Sequence, residues 1–179
     1  MSEIKRVCVV GAGAIGSLLV GHIGALPDVE MSVLVRRDGH AVDLNRNGLR
    51  VSGKSDLSAH VTASTDPADL GEVDLLILAT KTTAVRAGVE KFRGCFPGAT
   101  VMMIQNGLGC ERVVRELGDW PIISGLTFMS GLRKSDCHVD YELDTPTWIG
   151  PWDEDPQRPG YEFVKQVEAL INRSGLICE

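Results

Sequence analysis

The sequence predicts an α/β protein built on a doubly wound parallel sheet. Short, uncharged, β-branched runs such as Val7–Val10 are typical of strands that are buried on both faces of such a sheet. Segments with apolar residues at helical spacing alternate with these runs, as expected of repeated βα units. A glycine-rich turn follows the first run directly. With 179 residues, of which 44% are apolar, the chain suffices for one packed domain, and we predict a dinucleotide-binding domain over residues 1–179.

The glycine-rich turn has the G-x-G-x-x-G spacing of dinucleotide-binding folds of the Rossmann type. Gly11 permits a tight turn, Gly13 lets the backbone approach a pyrophosphate, and Gly16 lets the next helix pack closely against the strand. The positive N-terminus of that helix then points at the anion. The position of this pattern between a predicted strand and a predicted helix indicates nucleotide binding. The residues of the turn that we predict to contact the cofactor are Gly11, Ala12, Gly13, Ala14, Ile15 and Gly16.

The other elements follow in order along the chain. The predicted strands cover residues 4–10, 31–35, 74–80, 99–104 and 121–126, and the predicted helices cover residues 14–26, 40–47, 83–93, 111–117 and 161–172. Residues 49–53 and 59–63 are predicted to form a small hairpin after the second helix. Polar and apolar residues alternate over 127–150, notably at 137–141, which predicts antiparallel strands at one edge of the sheet. The proline-rich stretch 151–159 is predicted to be a loop.

The last five residues, Gly175–Glu179, carry apolar side chains at extended spacing. Chain ends that are free tend to fray and to be polar. We therefore expect the natural protein to continue beyond Glu179.

Composition excludes several classes of function. The net charge of −6 argues against nucleic acid as a partner. Because Glu3, Lys5 and Arg6 interrupt any leader and no apolar run is long enough to span a bilayer, we expect a cytoplasmic protein without a membrane contact. The five cysteines form no C-x-x-C pair and the four histidines are scattered, so we expect free thiols and no metal site.

The residues after the second predicted strand indicate which nucleotide binds. An acidic residue at this point usually holds the ribose of NAD, whereas an arginine accommodates the 2′-phosphate of NADP. Arg36 and Arg37 occupy the position here, with Asp38 one or two residues late and Glu30 too early. A guanidinium forms paired hydrogen bonds to phosphate oxygens. The sequence therefore favours NADP(H), and the alternative is that one or both arginines are solvated surface residues.

Three further motifs complete a resemblance to a known family. Thr80-Lys81 follows one predicted strand, the segment 105–109 (Gln-Asn-Gly-Leu-Gly) follows the next, and Gly125-Leu126-Thr127 begins the antiparallel part. Together with the glycine turn and the arginine pair, this order resembles the ketopantoate reductase (2-dehydropantoate 2-reductase) family from about Arg6 to the last residue.

The resemblance implies NADPH-dependent reduction of the 2-oxo acid 2-dehydropantoate to (R)-pantoate, a step toward pantothenate. It implies that Lys81 lies beside the cofactor and that Asn106 contacts both the nicotinamide and the substrate. Arg37 is the favoured ligand of the 2′-phosphate, with Arg36 in reserve, and Gly131 matches a further cofactor contact. Ligands of open α/β sheets collect at the carboxyl ends of the strands, where Lys81 and Asn106 stand. The alternatives are a solvated lysine and a turn asparagine.

In the family a lysine of a C-terminal helical domain donates the proton to the ketone, and no residue of the chain matches it. Lys165 is predicted to lie on the outer face of a helix. We therefore expect the chain alone to be inactive and, because a missing domain leaves apolar surface bare, to self-associate through that face. Two other functions stay open: a related NADP-dependent enzyme for another 2-oxo acid, and a stand-alone NADP(H)-binding module without catalysis.

Overall fold

The structure is a computed structural model that describes residues 4–152 and 158–179. Within these residues the chain forms one sheet of seven strands and one of four. Six strands of the larger, main sheet are parallel, and the seventh is antiparallel at one edge. In spatial order the main sheet consists of β5 (Thr62–Ser64), β2 (Glu30–Leu34), β1 (Arg6–Val10), β6 (Leu75–Leu78), β7 (Thr100–Met103), β8 (Ile122–Thr127) and β11 (Thr147–Pro151). The predicted fold class is confirmed.

Helices cover both faces of the main sheet, because its central strands are apolar on both sides. Val7 and Val9 of β1 join one hydrophobic cluster and Cys8 and Val10 join another. The helices are α1 (Ala14–Gly24), α2 (Asp38–Asn47), α3 (Val85–Phe92), α4 (Cys110–Leu117) and α5 (Tyr161–Arg173). The first, second and fifth helices pack in the cluster of Val7, and the other two in the cluster of Cys8. No helix of the described ranges is long and apolar enough to cross a bilayer.

The small sheet packs on the outer side of α1. It consists, in spatial order, of β4 (Leu57–Ala59), β3 (Leu49–Gly53), β10 (His138–Leu143) and β9 (Ser130–Ser135). Residues 16–23 of α1 are all buried, because the helix has a sheet on each side. A side chain at Gly21 would overlap Val51 of β3, so this glycine sets the distance between α1 and the small sheet.

The predicted hairpin is correct in its first strand and wrong in its second. Strand β3 covers 49–53 as predicted, but its antiparallel partner is β4 at 57–59. Residues 62–64 instead form β5, which pairs in parallel with β2 at the edge of the main sheet. Segment 59–63 therefore divides between the two sheets. The pairing of β5 with β2 joins residues that are thirty positions apart, which local periodicity does not reveal.

The prediction for 127–150 is also correct only in part. Strand β11 does lie antiparallel to β8 at the edge of the main sheet. The alternating segment 137–141 belongs to β10, which pairs antiparallel with β9, as predicted. It lies in the small sheet and not at the edge of the main sheet, however, and its other neighbour β3 is parallel to it. The alternation reflects packing on α1, since Val139 and Tyr141 are buried in the cluster that contains α1.

The segment after α5 adds backbone pairing beside β11. The Thr147 N–H donates to Ile177 O at 2.8 Å, and the Ile149 N–H donates to Glu179 O at 2.9 Å. The side chains of Leu176 and Cys178 are buried, which explains the apolar residues that the sequence shows here. The predicted helix 161–172 agrees with α5 within one residue.

His22 of α1 is a buried ionisable group in the core. Its Nδ1 lies 2.9 Å from Ser174 O, an acceptor, which makes Nδ1 the protonated nitrogen of a neutral ring. No described polar group contacts Nε2, and Tyr141 presents its ring at 5.5 Å between centroids. Burial lowers the pKa of His22 below its ordinary value, although the Ser174 hydrogen bond opposes this shift.

We predict that the free energy of unfolding falls as the pH drops from 7.5 to 5.5. A histidine whose pKa is lowered by folding takes up its proton more readily in the unfolded chain, so stability is lost once the pH falls below the ordinary value near 6.5. His40, whose pKa is also lowered by burial, contributes in the same direction. Denaturant unfolding at both pH values should show a smaller drop for His22→Asn than for the wild type.

The control is His60→Asn, because His60 is exposed. This variant should keep the full drop in stability between the two pH values. An equal drop in the wild type and in His22→Asn would contradict the assignment to His22.

Candidate functional site

The loops that carry the predicted site residues start side by side at one edge of the main sheet. Val10 of β1 lies opposite Leu34 of β2 and opposite Leu78 of β6, which in turn lies opposite Met103 of β7. Neighbouring strands are about 4.8 Å apart. After β1 the chain adds β2 and β5 on one side of β1, and it then crosses over to add β6, β7 and β8 on the other side. The strand order therefore reverses between β1 and β6. Ligands of open α/β sheets bind in the crevice at such a reversal.

The glycine turn is held in place by contacts with both neighbouring strands. The Gly11 N–H donates to Leu34 O at 3.0 Å, and a Cβ at Gly11, whose φ is +96°, would lie 3.1 Å from Thr80 Cγ2. A Cβ at Gly16 would overlap the Gly11 carbonyl, so a side chain there would push α1 away from the turn. A side chain at Gly11 or Gly16 would therefore strain the turn.

Gly13 differs from the other two glycines, because a Cβ there meets nothing within 4 Å. It precedes the first residue of α1 with φ −77°, a conformation that alanine adopts, and no side chain caps this end of the helix. The first turn of α1 contains no acidic residue, so nothing opposes an anion at the positive end of the helix dipole. This open space at a helix N-terminus fits a pyrophosphate group.

The two arginines after β2 differ in their contacts. Arg37 Nη2 donates to both carboxylate oxygens of Asp136 at 2.7 Å, across 99 residues of sequence. The Asp136 carboxylate also accepts from Arg133. Arg36 is exposed and has no polar partner among the described residues. Arg37, the predicted 2′-phosphate ligand, is thus already ion-paired, whereas Arg36 has no ion-pair partner within the described residues.

Asp136 keeps its charge well below neutral pH. Burial would raise the pKa of its carboxyl group, but the hydrogen bond from Arg37 and the charges of His40, Arg133 and Arg37 outweigh burial and lower that pKa. His40 Nε2 lies 2.9 Å from the backbone carbonyl of Asp136, which fixes the turn between β9 and β10 against α2.

Lys81 lies at the carboxyl end of β6. It precedes a turn of 3-10 helix, Thr82–Ala84, and its carbonyl accepts from the Ala84 N–H at 2.8 Å. The side chain is exposed and has no polar partner in the described part of the chain. The ammonium group is therefore available to an anionic ligand above the crevice.

Asn106 lies in the next loop and is positioned by the residue before it. The buried Gln105 donates from Nε2 to Leu78 O at 2.7 Å and to Thr80 O at 3.0 Å, which ties the end of β7 to the end of β6. The Gln105 Oε1 and the Thr80 Oγ1 are buried and have no hydrogen-bond partner in the described part of the chain. Asn106 itself is exposed, and Gly107 with φ +106° turns the chain away after it.

Gly131 lies apart from the loops that follow β1, β2, β6 and β7. It belongs to β9 of the small sheet, where a Cβ would lie 3.0 Å from Asp140 O and 3.1 Å from Leu18 Cδ1 of α1. The close packing explains why this position is a glycine. Its contact with the cofactor stays a prediction.

Grooves lie near the carboxyl ends and near the amino ends of the strands of the main sheet. One of about 460 Å³ lies beside the carboxyl end of β7 and the middle of β8, next to the Asn106 loop, and is lined by Leu108, Gly109, Glu111, Arg112, Ser124 and Trp152. Another of about 410 Å³ lies at the amino ends of β1, β2 and β5 and contains none of the predicted site residues. The first suits a substrate because of its position. Over residues 4–152 and 158–179, no three histidine, cysteine or acidic side chains form a group that could hold a metal.

Sequence reasoning missed the residues that hold the site residues in place. Asp136 and Arg133 lie about a hundred positions from Arg37, and only the pairing of β10 with β3 brings their turn to α2. The position of Gln105 directly after a buried strand could have indicated its supporting role, since a buried polar residue needs a hydrogen-bond partner.

The fold and the crevice define the class of protein: this is a Rossmann-type α/β domain. The sequence profile of the family described as ketopantoate reductase PanE/ApbA matches residues 7–154. The chain belongs to this family. A 2-dehydropantoate 2-reductase of Pyrococcus horikoshii is 30% identical over 174 residues, which are 97% of this chain and 55% of that protein.

Solved structures agree with this assignment. A 2-dehydropantoate 2-reductase from Geobacter metallireducens has 27% identity and a TM-score of 0.81 over 97% of this chain and 57% of that one. A D-mandelate dehydrogenase solved with NADH and anilino(oxo)acetate has a TM-score of 0.83 over 98% of this chain and 56% of that one, but its 18% identity supports the fold alone. The chain spans about half the length of these relatives.

Proposed function

We propose that residues 1–179 form one dinucleotide-binding domain for NADP(H), which serves the reduction of 2-dehydropantoate to (R)-pantoate. The observation that carries the proposal is the open space at Gly13, at the uncapped N-terminus of α1, beside two arginines at the end of β2. Family membership supports a nicotinamide cofactor, and one structural relative was solved with NADH. The choice of NADP over NAD rests on Arg36 and Arg37.

Each loop of the row has a proposed role. The backbone amides of residues 11–16 would bind the pyrophosphate, and the guanidinium groups of Arg36 and Arg37 would bind the 2′-phosphate. Lys81 would hold an anionic group of the cofactor or substrate by its charge. Gly131 would approach the cofactor from the side of the small sheet.

Asn106 is the proposed positioning residue of the reaction. A bound NADPH supplies the hydride. The amide of Asn106 can donate a hydrogen bond to one partner and accept one from another, which holds the nicotinamide and the ketone in register. We do not assign the proton donor for the ketone oxygen to Lys165, because this residue is exposed on α5 and lies over the Tyr161 ring at 5.1 Å.

We predict that Gly13→Ala strongly weakens NADPH binding and leaves the fold intact. The added methyl group meets no protein atom but occupies the space proposed for the pyrophosphate. Titration followed by nicotinamide fluorescence should show affinity for NADPH at least tenfold weaker than in the wild type. The midpoint of thermal unfolding should stay within a few degrees, because an N-cap change from glycine costs only about 0.5 kcal/mol.

Gly98→Ala is the matched control. Gly98 is exposed, also has open space around its Cβ position and lies before β7, at the opposite edge of the sheet. It should bind NADPH as the wild type does. Unchanged affinity in Gly13→Ala would reject the assigned pyrophosphate site.

We also predict that the 179-residue chain binds NADPH but turns over 2-dehydropantoate slowly or not at all. The check is NADPH oxidation at 340 nm with 2-dehydropantoate and with a panel of other 2-oxo acids. The intact mass of the protein from its native source decides which polypeptide to assay next, because a larger mass means that a longer chain has to be used. If that longer chain reduces other 2-oxo acids as fast as 2-dehydropantoate, the proposed substrate is wrong.

We further propose that a second copy of the chain is a partner. Exposed apolar side chains lie together on β8, β11 and the segments that follow these strands. They are Leu126, Phe128, Trp148 and Ile177. Phe128 and Trp148 are in edge contact at 6.3 Å between centroids. We predict sedimentation that shifts toward a dimer with rising concentration, and a shift that is reduced in Trp148→Ser. A monomer at all concentrations would exclude this partner.

A further inference from the structure

The turn between β9 and β10 brings a carboxylate to the arginines at the end of β2. Asp136 receives two hydrogen bonds from Arg37, both at 2.7 Å, and is also paired with Arg133. The carboxylate is the less exposed partner, with 22% of its side-chain surface accessible against 54% for Arg37. The turn itself is anchored, because His40 of α2 bonds the Asp136 backbone carbonyl and the Ser135 Oγ accepts from the Cys137 N–H.

Arg37 therefore presents a compensated charge to an incoming anion. A phosphate group that used the same Nη2 hydrogens would have to replace the carboxylate, and one that used the other edge of the guanidinium would come close to a fixed negative charge. Arg36 has no such counter-ion among the described residues. The positive charge available to a 2′-phosphate is consequently lower than the two adjacent arginines suggest.

We propose that Asp136 is a specificity-determining residue, an internal counter-ion that competes with the 2′-phosphate for Arg37 and so reduces the preference for NADPH over NADH. The inference rests on the proposed cofactor site. It concerns the adenosine end of the cofactor only, because a 2′-hydroxyl carries no charge for Asp136 to repel. The two cofactors, which differ only in this group, are thus the natural probes.

The test compares dissociation constants of NADPH and NADH for the wild type and Asp136→Asn by nicotinamide fluorescence at constant ionic strength. Removal of the carboxylate should tighten NADPH binding by about twofold to fivefold, the upper part of the range expected for an ion pair at a partly exposed site. The affinity for NADH should change by less than about twofold. An unchanged or smaller ratio of the two affinities overturns the inference, and a smaller ratio would mean that Asp136 instead orients Arg37 for the phosphate.

Two further variants make the result specific. Asp144→Asn removes the same charge beyond the other end of β10, where Asp144 pairs with Lys54 at 2.8 Å, and should leave both affinities unchanged. Asp136→Ser removes the charge with a second side chain that turns accept, and should reproduce the asparagine variant if the effect is electrostatic. Thermal unfolding of each variant verifies the fold.

The outcomes separate this inference from the proposed function. If the wild type binds neither cofactor at millimolar concentration, the proposed cofactor site is wrong and the inference fails with it. If the wild type binds NADPH and the affinity ratio does not rise in Asp136→Asn, only the inference is wrong.

Discussion

The close packing of α1 on both sides is the constraint on which the rest of the structure depends. On one side Gly16 lies against the Gly11 carbonyl, which leaves no space for a side chain. On the other side Gly21 lies against Val51, and Gly131 lies against Leu18, so the small sheet can approach the helix. The first contact points the N-terminus of α1 at the crevice of the main sheet. The other two bring the small sheet, and with it Asp136, to the same edge.

The row of loops follows from the parallel main sheet. Because β1, β2, β6 and β7 run in one direction with their last residues in register, the loops that follow them share one edge without any need for long connections. Gln105 then fixes the loop after β7 relative to the loop after β6, because its Nε2 donates to Leu78 O and Thr80 O. A buried amide with two backbone partners is costly to displace, which makes the support under Asn106 rigid.

The sequence predicts the parts of this molecule that depend on local pattern. The apolar runs at 7–10 and 75–78 could be recognised because a strand buried on both faces has a distinctive composition, and the glycine turn because its spacing has a steric cause. The division of 59–63 between two sheets could not, since two strands of three residues carry too little periodicity. The parallel pairing of β10 with β3 joins residues almost ninety positions apart, for which a single sequence offers no signal.

The candidate site is subject to the same limit, because a residue that is distant in sequence contacts one of the predicted site residues. Apart from Gly131, the predicted site residues come directly after strands of the main sheet, whereas Asp136, the ion-pair partner of Arg37, lies in a turn of the small sheet. The prediction that Arg36 and Arg37 together bind a phosphate assumes that both charges are equally available to it. The two arginines are unequal, since Arg37 is paired with the Asp136 carboxylate and Arg36 has no counter-ion among the described residues. If Asp136 competes with the 2′-phosphate as proposed, the preference for a cofactor would be a property of the small sheet as well as of the strand that carries the arginines.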